Sequence, residues 1–229
     1  ITSSLRTGKT LCILLPVKSF LKIKTSYKNE SVSAINSSDN IPKYQLNSLE
    51  IRFINNTTTQ SYNPKKGHRF YLDFEKGNDI GPISLGGVSF ARVSSSLSHY
   101  LSLKKSILAY RIKTGIFYPI DDTISTFENS YFILGGATSI RGYNENHVPF
   151  TGQRHVLLNL ELRSNFLNKF QNIIFLDTGN TFQSRFIIND LHYGVGIGFR
   201  YLTPLGPIRL DFAKGDDDLY IHFGLGQIF

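Results

Sequence analysis

The feature that most constrains this chain is a two-residue alternation of apolar and polar side chains, repeated in segment after segment. It is clearest after residue 155, where Val156, Leu158, Leu160 and Leu162 point one way and Leu157, Asn159, Glu161 and Arg163 the other. A side-chain period of two belongs to the β-strand. Leucine on one face and Asn, Glu and Arg on the other suit a wall between oil and a polar interior, and equally a soluble sheet with one wet face. Just before this strand lies a long polar segment in which Arg141 stands between small residues and an aromatic.

The same grammar runs through the chain. Leu21, Ile23, Thr25 and Tyr27 oppose Phe20, Lys22, Lys24 and Ser26. Residues 30–40 read as a polar loop, 44–57 as a strand, 55–67 as a long turn and 68–75 as the returning strand. Residues 88–97 form a weaker, serine-rich strand, and 107–118 set Leu108, Tyr110, Ile112, Thr114 and Ile116 against Ala109, Arg111, Lys113 and Gly115. Residues 172–177, 192–201, 208–213 and 219–229 complete the set, while residues 1–16 are ambiguous. Ten or eleven strands joined by turns imply antiparallel neighbours, and no convincing amphipathic helix interrupts them. Arg111, Lys113 and Arg163 on one side fit a charged lumen better than a packed core, where unpaired charge is costly.

Composition narrows the function. No stretch approaches the 18 or so apolar residues of a membrane-spanning helix, but a membrane barrel crosses with short, half-polar strands. Lys and Arg number 25 against 17 acids, a net charge of +8, scattered rather than gathered on one element, which argues against nucleic-acid binding. A lone Cys12 offers neither a disulfide framework nor a metal cluster. The 18 Phe and 12 Tyr suit rings at a membrane interface, though the absence of Trp counts mildly against such a belt. His68, His99, His147, His155, His192 and His222 show no ligand spacing, and no serine-centred elbow is present, so neither an enzyme nor a cofactor or metal site is expected. His147 and His155 read as solvated. Outward aliphatic faces and inward polar ones favour a membrane barrel over a soluble β-sandwich binding module.

Four ordered segments then become recognisable: GGATSIRGY (135–143), FLDTGN (175–180), GVGIGFRYLTPLGPIRLDFA (194–213) and IHFGLGQIF (221–229). With the NPKKGHRFYLDFE turn at 63–75, they resemble the C-terminal barrel of the Omp85 superfamily, the bacterial surface-antigen domain of BamA-like and TamA-like outer-membrane assembly proteins. The resemblance implies an all-β, antiparallel transmembrane β-barrel. Residues 1–229 would be its C-terminal ten to eleven strands out of 16, with the POTRA domains and first strands absent. Residues 130–155 would form a long inward-folded loop carrying the RGY motif.

By the same resemblance, Arg141, flanked by Gly142 and Tyr143, sits at the loop tip and meets an acidic wall position. Asp177 is the implied partner, with Glu161 nearby. Gly135, Gly136 and Gly142 would let the loop turn tightly. Gly194, Gly196 and Gly198 either make space for that loop or allow simple curvature. Arg200, Arg209 and Asp211 are expected on the lumen wall, and Gly224, Gly226 and Phe229 on the seam strand. The implied function is outer-membrane assembly and translocation: inserting β-barrel proteins through a lateral seam in the bacterial outer membrane. The implied partners are outer-membrane lipid and lipopolysaccharide, client outer-membrane proteins, and periplasmic or lipoprotein assembly partners recruited through POTRA domains. A polypeptide secretion pore of the two-partner type is the alternative within the family.

Overall fold

The computed structural model describes residues 4–34, 44–60, 62–120, 131–145, 147, 150–167, 169–216 and 218–229. In chain order the strands are β1 (Ser4–Lys18), β2 (Leu21–Ala34), β3 (Tyr44–Asn56), β4 (Gly67–Gly77), β5 (Asp79–Ile80), β6 (Ile83–Ser84), β7 (Phe90–Ser102) and β8 (Ser106–Pro119). Then come β9 (Phe132–Ile133), β10 (Thr151–Gly152), β11 (Arg154–Leu167), β12 (Phe170–Phe182), β13 (His192–Thr203), β14 (Gly206–Lys214) and β15 (Leu219–Leu225). The described residues contain no α-helix, and a 3₁₀ turn covers Ile188–Asp190. Among the described residues no helix is long and apolar enough to cross a membrane.

Eleven strands form one sheet in the order β1-β2-β3-β4-β7-β8-β11-β12-β13-β14-β15, each hydrogen-bonded to the next long strand of the chain. The pairs β5/β6 and β9/β10 are small separate ladders. The alternation read from the sequence sets which side chains share a face. On β13, Tyr193, Val195, Ile197 and Phe199 are exposed while Gly194, Gly198 and Arg200 are buried. On β15, Leu219, Ile221, Phe223 and Leu225 are each more than 60% exposed, an apolar display far larger than isolated surface leucines. A soluble sandwich would bury these faces against a second layer, and the structure leaves them uncovered.

One ambiguity resolves and two expectations need correction. The ambiguous N-terminal stretch is a strand, β1. It lies at one end of the sheet order, and its register with β2 shifts just after Pro16, between Pro16 and Lys18. The weak strand placed at 88–97 runs instead over β7, to Ser102. The last strand ends at Leu225, short of Phe229. The loop expected at 30–40 lies partly outside the described residues, as does part of the 130–155 loop.

The contacts fall into two compact units, each with its own polar face. One takes in Ile1–Ile54, Tyr71–Ser95 and Gly115–Tyr131. In it the Lys28 ammonium donates to Glu50 (2.5 Å) and Glu75 (3.2 Å), Ser48 donates to Glu75 (2.7 Å), and Arg52 pairs with Asp73. The other takes in Asn55–Phe70, Ser96–Thr114 and Phe132–Phe229. Its apolar clusters are Leu134, Ile140, Tyr143, Phe150 and Leu157, then Tyr100, Ile107, Ala109 and Phe229, then Ile173, Phe175 and Ala213.

Candidate functional site: a buried arginine fork

The site lies wholly in the second unit and is built by register. β11 and β12 pair Asn159 with Asp177 and Glu161 with Phe175; β12 and β13 pair Asp177 with Gly194 and Phe175 with Gly196. With a period of two, Asn159, Glu161, Asp177 and Phe175 fall on one face, opposite the exposed Leu160, Leu162 and Ile174. This face receives the loop that carries Arg141.

Arg141 is fully buried and its guanidinium is spanned by carboxylates. Nε donates to Asp177 Oδ2 (2.7 Å) and Nη2 to Asp177 Oδ1 (2.9 Å), a two-pronged pairing. Nη1 donates to Glu161 Oε1 (2.8 Å), and the Arg141 backbone N–H donates to Asp177 Oδ2 (3.1 Å). The guanidinium carbon lies 3.4 Å from the centroid of Phe175, a cation over an aromatic face in a dry setting. Burial alone would lower the Arg141 pKa, but the carboxylates of Asp177 and then Glu161 outweigh it and raise it above its ordinary value.

Neighbours saturate the rest. Asn159 Nδ2 donates to Asp177 Oδ1 and to the Ser139 carbonyl, both at 2.7 Å, and its Oδ1 accepts from Arg111. Arg111 also donates to the Thr138 carbonyl (2.7 Å), so two wall side chains hold the loop backbone just before Arg141. Arg163 pairs with Glu161 at 2.7 Å, and His222 Nε2 donates to the Arg141 carbonyl (2.7 Å) from β15. The loop tip is thus bonded to β8, β11, β12 and β15.

The glycines have distinct jobs. Gly135 and Gly136 have φ of +105° and +94°, the left-handed region that favours glycine. Gly142 does not; its need is space, because a Cβ there would come within 2.6 Å of Gly215 Cα. A Cβ on Gly194 would sit 2.7 Å from the Gly142 nitrogen, so this wall glycine makes room for the loop backbone. Gly196 clears the Phe175 ring (2.4 Å), and Gly198 clears the Asp211 carboxylate (2.1 Å). Of the three, only Gly194 meets the loop; the nearest atom to a Cβ on Gly196 is the Phe212 carbonyl of the neighbouring strand. Arg200 donates to Asp211 Oδ1 (2.7 Å), while Arg209 stands 3.9 Å from Asp211 Oδ2.

The Omp85 superfamily domain matches residues 17–229. The chain belongs to the Omp85 superfamily. Sequence relatives include Outer envelope protein 80, chloroplastic, of Arabidopsis thaliana, 33% identical over 106 residues covering 42% of this chain and 14% of that protein. Outer envelope protein 39, chloroplastic, of the same plant is 32% identical over 108 residues, covering 42% and 30%. The fold is similar to BamA from Haemophilus ducreyi lacking POTRA domains 1–3, with a TM-score of 0.75 and 14% identity, covering 96% of this chain and 53% of that one. It is also similar to CdiB from Acinetobacter baumannii, with a TM-score of 0.63 and 15% identity, covering 96% and 41%. The chain spans less than a third of these curated relatives' length and about half of the BamA chain.

Within the Omp85 fold, Arg141, Gly142, Tyr143, Glu161, Asp177, Gly194, Gly196, Gly198, Arg200 and Asp211 come together, with Arg209 beside them. The seam residues divide. Gly224 lies in β15, where its missing side chain admits Arg209 Nε, 2.5 Å from a would-be Cβ. Gly226 and Phe229 do not continue the strand, because Gly226 takes φ +85° and turns the chain away. Gln227 then donates to Asn63 (3.0 Å), Arg111 donates to the Ile228 carbonyl (2.9 Å), and Phe229 stacks on Tyr100 with Arg111 and Arg163 over its ring. Cations on the polar face, rather than lipid, therefore receive the final aromatic.

The solvated reading fails for His155, which is buried against Phe132 at 4.2 Å, whereas His147 is half-buried beside Tyr143 and Phe150. Sequence reasoning passed over Phe175, Asn159, Gly215 and His222 as members of the fork. Phe175 and Asn159 were visible as polar-face positions of their strands. Gly215 and His222 carried no local signal, since their roles depend on a loop more than 70 residues away in sequence.

Proposed function

We propose that this chain is the C-terminal part of a membrane-spanning Omp85 barrel that helps fold and insert β-barrel proteins, in the manner of BamA-like and TamA-like assembly factors. The observation that carries this reading is β15. Among the described residues it pairs with β14 over seven residues from Leu219 to Leu225 and stands at one end of the sheet order. An unpaired strand edge in hydrocarbon leaves N–H and C=O groups unsatisfied, each at a cost of several kcal/mol. An incoming client strand removes that cost by β-augmentation. The exposed Leu219, Ile221, Phe223 and Leu225 would face acyl chains while the polar face turns to the lumen.

In this reading the arginine fork is a brace. It pins the inward loop to β11 and β12 while β15, bonded to the loop through His222, remains free to re-pair at its outer edge. Outer-membrane lipid and lipopolysaccharide surround the barrel, unfolded outer-membrane proteins are its clients, and periplasmic or lipoprotein partners act through POTRA domains. The location is the bacterial outer membrane, supported by family membership and by the fold shared with BamA. The identity to chloroplastic outer envelope proteins favours a second address, the outer envelope of a plastid, which membrane fractionation of the source cell would separate from the first.

The test is site-specific crosslinking. A photoreactive residue at Ile221 on β15 should capture unfolded outer-membrane proteins in cells, whereas one at Ile197 on β13, which is paired on both sides, should not. Capture of a single secreted partner alone would instead mark a secretion pore of the two-partner type. Equal capture at both positions would refute an edge-specific mechanism.

A further inference from the structure

The chain's excess positive charge is scattered in sequence, but the fold gathers part of it at one end of the second unit. That end holds the turns β3–β4, β7–β8, β11–β12 and β13–β14. Contacts between their flanks keep them together. The His68 and His99 rings lie 6.5 Å apart, Ser106 and Ser164 share a hydrogen bond of 2.7 Å, and the Phe170 ring meets Phe166 at 5.9 Å and Tyr201 at 5.1 Å. The turns carry Lys65, Lys66, Lys104, Lys105 and Lys169, all exposed.

No acid offsets them. The segments of this unit that run to the turn end, 55–70, 96–114, 163–175, 199–210 and 223–229, contain neither Asp nor Glu. None of these lysines makes an ion pair among the described residues. The opposite end, which carries the Arg141 loop, is mixed: Glu145, Asp190, Asp216 and Asp218 stand with Arg154, Arg185 and Lys214. Cations gathered without counter-charge repel one another, and an anionic surface relieves that repulsion.

A second observation says what bears the anions. Beside the lysines lies an exposed apolar band of Leu101, Leu103, Phe166, Phe170, Tyr201 and Leu205. His99 and Tyr110, hydrogen-bonded at 3.0 Å, continue it. Amphipathic rings belong at the boundary between acyl chains and headgroups, and lysine stems reach past that boundary to put the ammonium groups in water. A soluble acidic partner would use the cations and leave the band uncovered; a lipid leaflet uses both. We infer that the turn end of this unit seats on an anionic phospholipid leaflet, with Lys65, Lys66, Lys104, Lys105 and Lys169 on the phosphate groups and Phe166, Phe170 and Tyr201 at the headgroup boundary. The attraction also sets which leaflet the turns face, because the mixed loop end gains little from the same headgroups.

The inference rests on the membrane-barrel reading above. Its test is native mass spectrometry of the full-length protein, mixed in neutral detergent with equal amounts of phosphatidylglycerol and phosphatidylcholine of the same acyl chains. Wild type should retain phosphatidylglycerol in preference by roughly fivefold to thirtyfold, the factor that one or two lysines per headgroup supply. Salt at about 0.5 M should shrink the preference. The combined variant Lys65→Gln, Lys66→Gln, Lys104→Gln, Lys105→Gln, Lys169→Gln should lose it, and the pairs Lys65→Gln with Lys66→Gln, and Lys104→Gln with Lys105→Gln, should each lower it. Arg185→Gln with Lys214→Gln, at the loop end, should keep it. Every sample is first run unheated and heated on a gel. A compact, heat-modifiable band together with equal retention of the two lipids, or with the preference intact in the lysine variants, overturns this inference alone and leaves the lysines to a soluble acidic partner. Absence of that band in wild type overturns the barrel reading and this inference with it.

Discussion

Replacing Arg141 by alanine is the sharpest perturbation of this chain. The substitution removes three side-chain hydrogen bonds and the contact with Phe175, and leaves Asp177 and Glu161 fully buried. The two carboxylates are not stranded equally. Glu161 keeps Arg163 at 2.7 Å, whereas among the described residues Asp177 keeps the Asn159 amide and one backbone N–H as its hydrogen-bond donors. Removing one partner of a buried ion pair costs about 3–5 kcal/mol, mostly because the other charge remains unpaired. The retained contacts of Glu161 place Arg141→Ala toward the lower part of that range, with Asp177 carrying most of the penalty.

That assignment can be checked internally. If the unpaired Asp177 carboxylate is the main cost, Arg141→Ala combined with Asp177→Asn should be more stable than Arg141→Ala alone, by about 1–3 kcal/mol. The measurement is urea unfolding in detergent micelles, followed by the fraction of compact, unheated species on a gel, for wild type, both single variants and the pair. A double variant no more stable than Arg141→Ala would refute the unpaired-charge reasoning, and would point to lost packing on Phe175 instead. Wild-type stability in Arg141→Ala would refute the brace itself.

Two further outcomes follow from the same geometry. Gly194→Ala should loosen the loop by about 1–3 kcal/mol, the usual cost of forcing a methyl group into an occupied space. The clash is with the Gly142 backbone, which cannot rotate away, and protease cleavage within the loop reports it; Val195→Ala, on the exposed face, should leave cleavage unchanged. Loop docking should also depend on acid. The Tyr143 hydroxyl and then His192 hold the Asp216 carboxyl below its ordinary range, so its contribution is complete above the ordinary aspartate value of about 3.9 and is lost as pH falls through the folded value. Protease sensitivity at the loop should therefore rise on strong acidification, and Asp216→Asn should be sensitive at neutral pH and lose the acid-dependent step.

Much of this architecture was legible before any coordinates. The period of two depends only on the pleat of a strand, so the facing of Leu160 against Glu161, or of Val195 against Gly194, could be read residue by residue. Arg141, Asp177 and Glu161 were legible for a different reason: short ordered motifs carried them together. The tail was misread because alternation continues in the sequence through Gln227 and Phe229. Nothing local announces that Gly226 takes a positive φ or that Arg111 and Arg163 wait for the final ring. His155 was misread for a similar reason, since its place against Phe132 is a long-range contact of the β9 segment with β11.

The sequence by itself determined which residues are strand, which face each side chain takes, and that charged groups share a face with glycines. These are local properties, set by backbone geometry and by the cost of exposing apolar surface or burying charge. Only the tertiary structure decided what each inward group meets: Phe175 under the guanidinium, Gly215 against Gly142, and His222 on the Arg141 carbonyl. Each depends on register across several strands and on where a loop lands. Small changes in register or loop length exchange one partner for another without altering the alternation that the sequence displays.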